Sequence, residues 1–325
     1  MNAPLNGKLV TVFGGSGFLG RYVVRALAQR GWRVRAAVRR PDLAGPLMTY
    51  GAVGQIQAVQ ANLRPDYRWS VERAVAGADA AVNLVGILSQ WGKQTFTSVQ
   101  AEGAGIFAES AVAAGITNLV HVSALGANAE SASIYAQTKA AGEAAVLAAN
   151  PGSVVIRPSV VFGQDDDFFN KFAAMAGFSP VLPLVGGGHT KFQPVYVVDV
   201  AEAIANAIEG KAKAGATYEL GGPEVMTFKE ILELVLKETG RSRLLLPLPF
   251  PLAKLQAKLL QLLPNPLLTV DQVELLKADS IVSADAAAAG LTLAGLGVTA
   301  HTAQAIAPSY LWRFREHGQF DRRPI

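Results

Sequence analysis

The 325-residue chain contains no cysteine, which excludes thiol catalysis, disulfides and cysteine-ligated metals and is compatible with a reducing compartment. Its four histidines stand at no metal-ligand spacing, and no metal is expected. No apolar run reaches the roughly 18 residues of a bilayer-spanning helix, so no segment is expected to cross a membrane. The first strand is expected so near residue 1 that neither a signal peptide nor an Arg- and Ser-rich transit peptide is foreseen. The formal net charge is +4 and the pI about 9.3, yet Lys and Arg are scattered and form no block. That balance suits an anionic cofactor or a membrane surface, and it argues against nucleic acid. Apolar residues are abundant. They make up half of the chain, enough for one large domain plus a smaller lobe.

The organising stretch is Lys8 to Arg21, KLVTVFGGSGFLGR. Val10, Val12 and Phe13 read as a buried parallel strand, and Phe18, Leu19, Val23, Val24 and Leu27 recur at helical spacing behind it. Between them stand Gly14, Gly17 and Gly20. Gly14 permits a tight turn, Gly17 removes a side chain where backbone must approach a pyrophosphate, and Gly20 lets helix pack on strand. The free N–H groups at the helix start, at Phe18 and Leu19, would face the phosphates. The three-residue glycine spacing resembles that of the extended and atypical short-chain dehydrogenase/reductases.

Strand signals recur at Trp32–Val38, Gly54–Gln60, Asp79–Gly86, Asn118–Ser123, Val154–Arg157 and Ala216–Gly222, alternating with helical patterns such as Phe96–Ala114. The expected fold is α/β: a Rossmann-type doubly wound parallel sheet, with a smaller C-terminal mixed α/β lobe. Residues 1–221 are assigned to the nucleotide-binding domain, with loop 164–194 contributing to the second lobe, and residues 222–325 to the C-terminal lobe.

The second strand ends in Arg39-Arg40. An acid about 20 residues past the glycine motif suits the ribose 2′-hydroxyl of NAD, whereas arginine suits a 2′-phosphate, so NADP(H) is favoured over NAD(H). Asn62-Leu63 stands where related families carry an Asp that meets adenine. Val85-Gly86 and Arg157-Pro158, at the ends of the fourth and sixth strands, complete the expected cofactor contacts.

Ser123 closes the fifth strand, and Tyr135-Ala-Gln-Thr-Lys139 opens the next helix. Four residues apart, Tyr135 and Lys139 share a helix face. The lysine charge would lower the phenol pKa for general acid or base work, Ser123 would hydrogen-bond a substrate oxygen, and Lys139 would also hold the nicotinamide ribose. Extended family members carry Asn for a proton relay where this chain has Gln100.

Asp165-Asp166-Asp167 reads as an N-terminal helix cap, His189 as a surface or cofactor-edge residue, and Thr227 with Glu230 as a capping box. Leu244 to Leu268 is rich in Leu and Pro. Within it Phe250–Leu263 is expected to form a short apolar helix with Lys254 and Lys258 on one face. Two readings stand: it lies on a membrane surface or apolar partner, or it covers the protein's own lobe. Thr269 is expected to cap the next helix, and the tail from Tyr310 to Ile325 suits a docked arm.

Taken together, FGGSGFLGRYVV, VNLVGIL, IRPSVVFGQDDDFFNKFA, FQPVYVVDVAEAI and PNPLLTVDQVELLKADSIVS resemble one branch of the atypical reductases. It is the family of nucleotide-binding accessory subunits of respiratory complex I, the NADH:ubiquinone oxidoreductase of mitochondria and alphaproteobacteria. The resemblance implies a tightly held, structural NADPH, a C-terminal lobe docked near the junction of the peripheral arm and the membrane, and the other complex I subunits as partners. On this reading Ser123, Tyr135 and Lys139 are vestigial or ribose-binding. Without a transit peptide, the expected place is the cytoplasmic side of a bacterial inner membrane. The alternative is an active NADP-dependent reductase or epimerase-like enzyme using Ser123, Tyr135 and Lys139.

Overall fold

A computed structural model of the chain describes residues 3–261, 266 and 268–320. They form two compact units: Met1–Pro158 with Val198–Leu220 and Ser283–Thr299, and Ser159–Val197 with Gly221–Val282 and Ala300–Ile325. Residues 283–299, assigned from sequence to the C-terminal lobe, thus group with the first unit.

The first unit is built on a seven-stranded parallel sheet. Its strands are β1 (Leu9–Phe13), β2 (Arg33–Val38), β3 (Ile56–Gln60), β4 (Ala80–Asn83), β5 (Asn118–Val122), β6 (Val154–Pro158) and the strand Thr217–Leu220. The spatial order is Thr217–Leu220, β6, β5, β4, β1, β2, β3, with Val12 between Ala36 and Val82. Strand order reverses between β1 and β4, and in open α/β sheets a ligand crevice opens at the carboxyl ends beside such a reversal. Val10, Val12, Phe13, Val34, Ala80, Ala81, Val82, Leu119 and Val120 are buried, as continuous apolar runs in a sheet covered on both faces must be. Helices α1 (Phe18–Gln29), α2 (Arg68–Val75), α3 (Glu102–Ala113) and α4 (Ile134–Ala149) belong to this unit.

The long helical pattern at Phe96–Ala114 is broken. Thr97–Ala101 is a π-helical turn running into α3, and a single extra residue per turn leaves little trace in hydrophobic periodicity. Close crossings lock it: a Cβ on Gly142 of α4 would stand 2.3 Å from the Gln100 carbonyl oxygen, and one on Gly103 would stand 2.9 Å from Leu63 Cβ.

The second unit has an aromatic core. Phe162, Phe169, Phe192 and Phe228 are buried together, with Phe168 and Phe228 ring centres 6.1 Å apart. Asp166, from the acidic run, does more than cap a helix. Its Oδ1 accepts from the N–H groups of Phe168 (2.8 Å) and Asn170 (3.2 Å), and its Oδ2 accepts from the Gly163 N–H (3.0 Å) and the Tyr310 hydroxyl (3.1 Å). The tail is docked as far as Arg315, since Arg313 donates to the Gln164 carbonyl and Arg315 to the Glu238 carbonyl, each at 2.8 Å; residues 321–325 lie outside the described residues. Thr227 and Glu230 form the expected capping box, and Thr269 forms one with Gln272.

Leu244–Leu248 is a strand, paired in parallel with Val181–Val185, where the sequence reading found only a Leu/Pro-rich stretch. Pro247 is tolerated because the strand lies at an edge, where a missing N–H costs no ladder bond. The following helix runs from Phe250 to Leu260, so of the expected span Leu262 and Leu263 lie outside the described residues. Ala253 and Ala257 pack beside Val185 and Val273, while Leu252, Leu255 and Leu259 point away and are exposed. Lys254 pairs with Glu274. One face therefore covers the protein's own lobe, and the opposite face presents leucine to the outside.

Candidate cofactor site

The site residues expected from sequence all fall in the first unit, and the first of them line the turn from β1 into α1. Gly14 has a φ of +79°, a region that costs side-chain-bearing residues roughly 1 kcal/mol or more. Its N–H donates to the Ala37 carbonyl at 3.0 Å, and its own carbonyl accepts from the Gly17 N–H at 2.9 Å. A Cβ at Gly20 would fall 2.1 Å from the Gly14 oxygen, so only glycine lets the helix approach. Gly15, which no sequence signal marked, is less tightly constrained, with its Cβ position 3.0 Å from Ala36 Cβ. At Gly17 a Cβ would meet only the Gly14 oxygen, at 3.2 Å, so a side chain there would extend into the space beside the loop.

No side chain caps α1. The first helical bond is Arg21 N–H to the Gly17 carbonyl, 3.1 Å, which leaves the N–H groups of Phe18 and Leu19 without intrahelical partners at the positive end of the helix dipole. Such a terminus suits an anion, and phosphate above all. Val85 walls the loop from β4, its Cγ2 3.3 Å from the Gly14 Cβ position. Asn83 fixes that wall: its Oδ1 accepts from the Val85 N–H at 3.0 Å, and its Nδ2 meets His121 Nδ1 at 3.2 Å. Burial, then the Lys139 charge, pushes the His121 pKa down to about 3, so this histidine is a neutral strut. Nothing in the spacing of Asn83 and His121, on neighbouring strands 38 residues apart, marked them beforehand.

Arg39 and Arg40, at the end of β2, have separate fates. Arg40 is held bidentately by Asp42, at 3.0 and 2.7 Å. Arg39 has no partner among the described residues and lines a recess of about 120 Å³ with Gln60, Asn62, Tyr67, Trp69 and Ser70. The aromatic pair was not singled out from sequence. Leu63 is buried in the core behind the recess and acts there as packing.

At the other end, Ser123 is buried and its Oγ has no partner. Lys139 is only 5% exposed; its Nζ donates to the Val122 carbonyl at 3.1 Å. Burial lowers the Lys139 pKa to about 8 against the opposing pull of the Glu143 carboxylate. Its amine lies 3.3 Å from the Gly86 Cβ position and 6.0 Å from the Tyr135 ring centre. Tyr135 sits in the first turn of α4, capped by Ser133, and packs edge-on against Phe96 at 5.8 Å. Gln100 Nε2 donates to the Ile87 carbonyl at 3.0 Å, while its Oε1 is buried without a partner.

Arg157 differs from expectation. Its guanidinium is held bidentately by Glu143, at 2.9 and 2.6 Å, with Glu219 at 3.9 Å. The side chain ties β6 to α4, and the Pro158 carbonyl at this strand end accepts from the Leu125 N–H at 3.0 Å. His189 is exposed in the second unit, beside the positive-φ glycines 186–188.

These features fit a dinucleotide: an uncapped helix start behind glycines, an unpaired arginine beside an aromatic recess, and an orphaned buried hydroxyl near a desolvated lysine. Residues 10–221 match the model of the NAD dependent epimerase/dehydratase family. The chain is 34% identical to the mitochondrial NADH dehydrogenase (ubiquinone) 1 alpha subcomplex subunit 9 of Arabidopsis thaliana, over 97% of this chain and 80% of that protein. It is 29% identical to the NADH-ubiquinone oxidoreductase 40 kDa subunit of Neurospora crassa, over 99% and 84%. Its fold is similar to that of the NADPH-dependent quinone oxidoreductase of Escherichia coli solved with NADPH, with a TM-score of 0.72 at 20% identity, covering 93% of this chain and 99% of that one.

Proposed function

Because the chain belongs to the NAD dependent epimerase/dehydratase family, and within it groups with complex I subunits over nearly its whole length, we propose that it is an NADPH-holding accessory subunit of respiratory NADH:quinone oxidoreductase with no turnover of its own. The observation that carries this reading is the sequence identity to complex I subunits, 34% over 97% of this chain and 29% over 99% of it.

The pyrophosphate would lie across Gly14 to Gly20 against the amides of Phe18 and Leu19. Arg39 would hold the 2′-phosphate, and its unpaired guanidinium favours NADPH over NADH. Asn62 would meet the base, Val85 and Gly86 would flank the chain of the cofactor, and Ser123, Tyr135 and Lys139 would hold the nicotinamide end. A ligand bound only to the folded state stabilises it by mass action, by about 2.7 kcal/mol at 100 times Kd. The exposed leucines of Phe250–Leu260 would meet other subunits or lipid, on the cytoplasmic side of a bacterial inner membrane.

One observation favours a second reading, an active reductase: Ser123, Tyr135 and Lys139 are all present, with the lysine buried and the serine hydroxyl unpartnered. The bound nicotinamide would supply hydride. Tyr135 would deliver a proton to a carbonyl oxygen held by Ser123, with Lys139 lowering the phenol pKa.

Two variants separate these readings. Tyr135→Phe is expected to leave complex assembly and NADH:quinone activity unchanged, and loss of either would favour catalysis. Gly17→Val is expected to empty the site and weaken assembly; normal assembly of the empty subunit would refute a structural cofactor.

A further inference from the structure

Backbone geometry fixes what Asn62 can offer a ligand. Its side-chain Oδ1 accepts from the Arg64 N–H at 3.2 Å, and its own N–H donates to Ser70 Oγ at 3.1 Å. A main-chain N–H can face only an acceptor, so the amide cannot be turned round. Oxygen points to Arg64, and Nδ2 is left without a partner among the described residues. Asn62 lines the same recess as Arg39, Tyr67 and Trp69. Trp69 is 56% exposed, and the Arg64 guanidinium lies 5.0 Å from the Tyr67 ring centre, so aromatic surface suited to stacking a purine stands beside this unpaired amide donor. Gln60, also on the recess, is an exposed amide that can present either end and so does not discriminate.

We propose that Asn62 reads the purine of the dinucleotide as a hydrogen-bond donor, so that the site accepts hypoxanthine as readily as adenine. This rests on the NADPH reading above and names the base selectivity of that site. An N–H donor finds a ring nitrogen on adenine and a ring nitrogen or the 6-oxo group on hypoxanthine. A carboxylate at the same position would accept from the 6-amino group of adenine and face the 6-oxo group of hypoxanthine, a mispairing that sets acceptor against acceptor.

The test is the binding of NADPH and of reduced nicotinamide hypoxanthine dinucleotide phosphate to the purified full chain, followed by nicotinamide fluorescence, in the wild type and in Asn62→Asp. Aspartate keeps the oxygen that Arg64 needs, so the turn should survive, which a thermal melt checks. The wild type is expected to bind both within about threefold, and Asn62→Asp to disfavour the hypoxanthine form by about tenfold or more. Rejection of that form by the wild type, by about tenfold or more, overturns the proposal while leaving NADPH binding intact. An unchanged ratio in Asn62→Asp overturns it too. Binding of neither dinucleotide by the wild type refutes the NADPH reading, and the base selectivity with it.

Discussion

The two units use their polar groups in opposite ways. In the first, groups around the turn from β1 into α1 and the ends of β2 to β5 are left without protein partners: the Phe18 and Leu19 amides, the Arg39 guanidinium, Asn62 Nδ2, Ser123 Oγ and Gln100 Oε1. In the second, Asp166, Tyr310, Arg313 and the capping pairs at Thr227 and Thr269 all bond within the protein, while Leu252, Leu255 and Leu259 stay outside. Polar groups without protein partners are free to bond a polar ligand or water. Burying a leucine against an apolar surface is favourable by about 1.5–3 kcal/mol for each side chain fully buried. The first pattern fits the proposed dinucleotide, and the second fits the proposed docking face.

The harshest test of this contrast is Gly20→Val. With its Cβ position 2.1 Å from the Gly14 oxygen, the substitution must displace backbone, and a loss of about 3 kcal/mol or more is expected in urea melts together with loss of NADPH binding. Gly17→Val, at the helix N-cap with its Cβ position 3.2 Å from the Gly14 oxygen, should cost only about 1 kcal/mol in the melt yet abolish binding. Equal destabilisation by both would mean that the loop is shaped for packing and not for a ligand.

Lys139 gives the next largest effect, and its sign follows from its pKa near 8. The amine is a charged donor below that pH and a neutral one above it. NADPH affinity should therefore hold to about pH 7 and fall above pH 8, by at most about tenfold per pH unit. Without ligand, the unfolded chain keeps the lysine proton longer than the folded one, so stability should rise as pH climbs from about 8 towards 10.5. Lys139→Met should flatten both profiles, and a slope that survives the substitution would assign it to another group. The neighbouring His121 stays neutral across this range, and Glu143 is held by Arg157.

Arg39 and Arg40 form a smaller internal comparison. Arg39→Ala should lower the preference for NADPH over NADH by about tenfold, whereas Arg40→Ala, whose guanidinium is held by Asp42 on an exposed turn, should change it by less than about twofold. Dissociation constants for both cofactors check this, and the reverse ranking would move the 2′-phosphate to the other arginine. The smallest effect on folding belongs to the second unit: Leu252→Ser, Leu255→Ser and Leu259→Ser together should shift stability by less than about 0.5 kcal/mol per site. The same triple variant should fail to remain with membranes, and retention at the wild-type level would show that these leucines cover nothing.

Much of the first unit was legible in sequence because its signals are local. A strand, three glycines and a helix within fourteen residues need no distant partner, and Tyr135 and Lys139 share a helix face by spacing alone. What escaped was set by contacts between remote residues. Asp166 looked like a cap because nothing nearby announces Tyr310, and Arg157 looked like a cofactor contact because Glu143 approaches from another element. The strand Leu244–Leu248 was hidden by its prolines and exists through its pairing with Val181–Val185. The recess at Tyr67 and Trp69 is assembled from β2, β3 and the start of α2, so its aromatic wall carried no motif.

Whether this chain holds NADPH within a respiratory complex is best measured by gentle solubilisation of the source membranes followed by separation by size. The chain is expected to migrate with NADH:quinone reductase activity and to release NADPH when that fraction is denatured. A chain that runs alone, or that travels with the complex and releases no nucleotide, would contradict it.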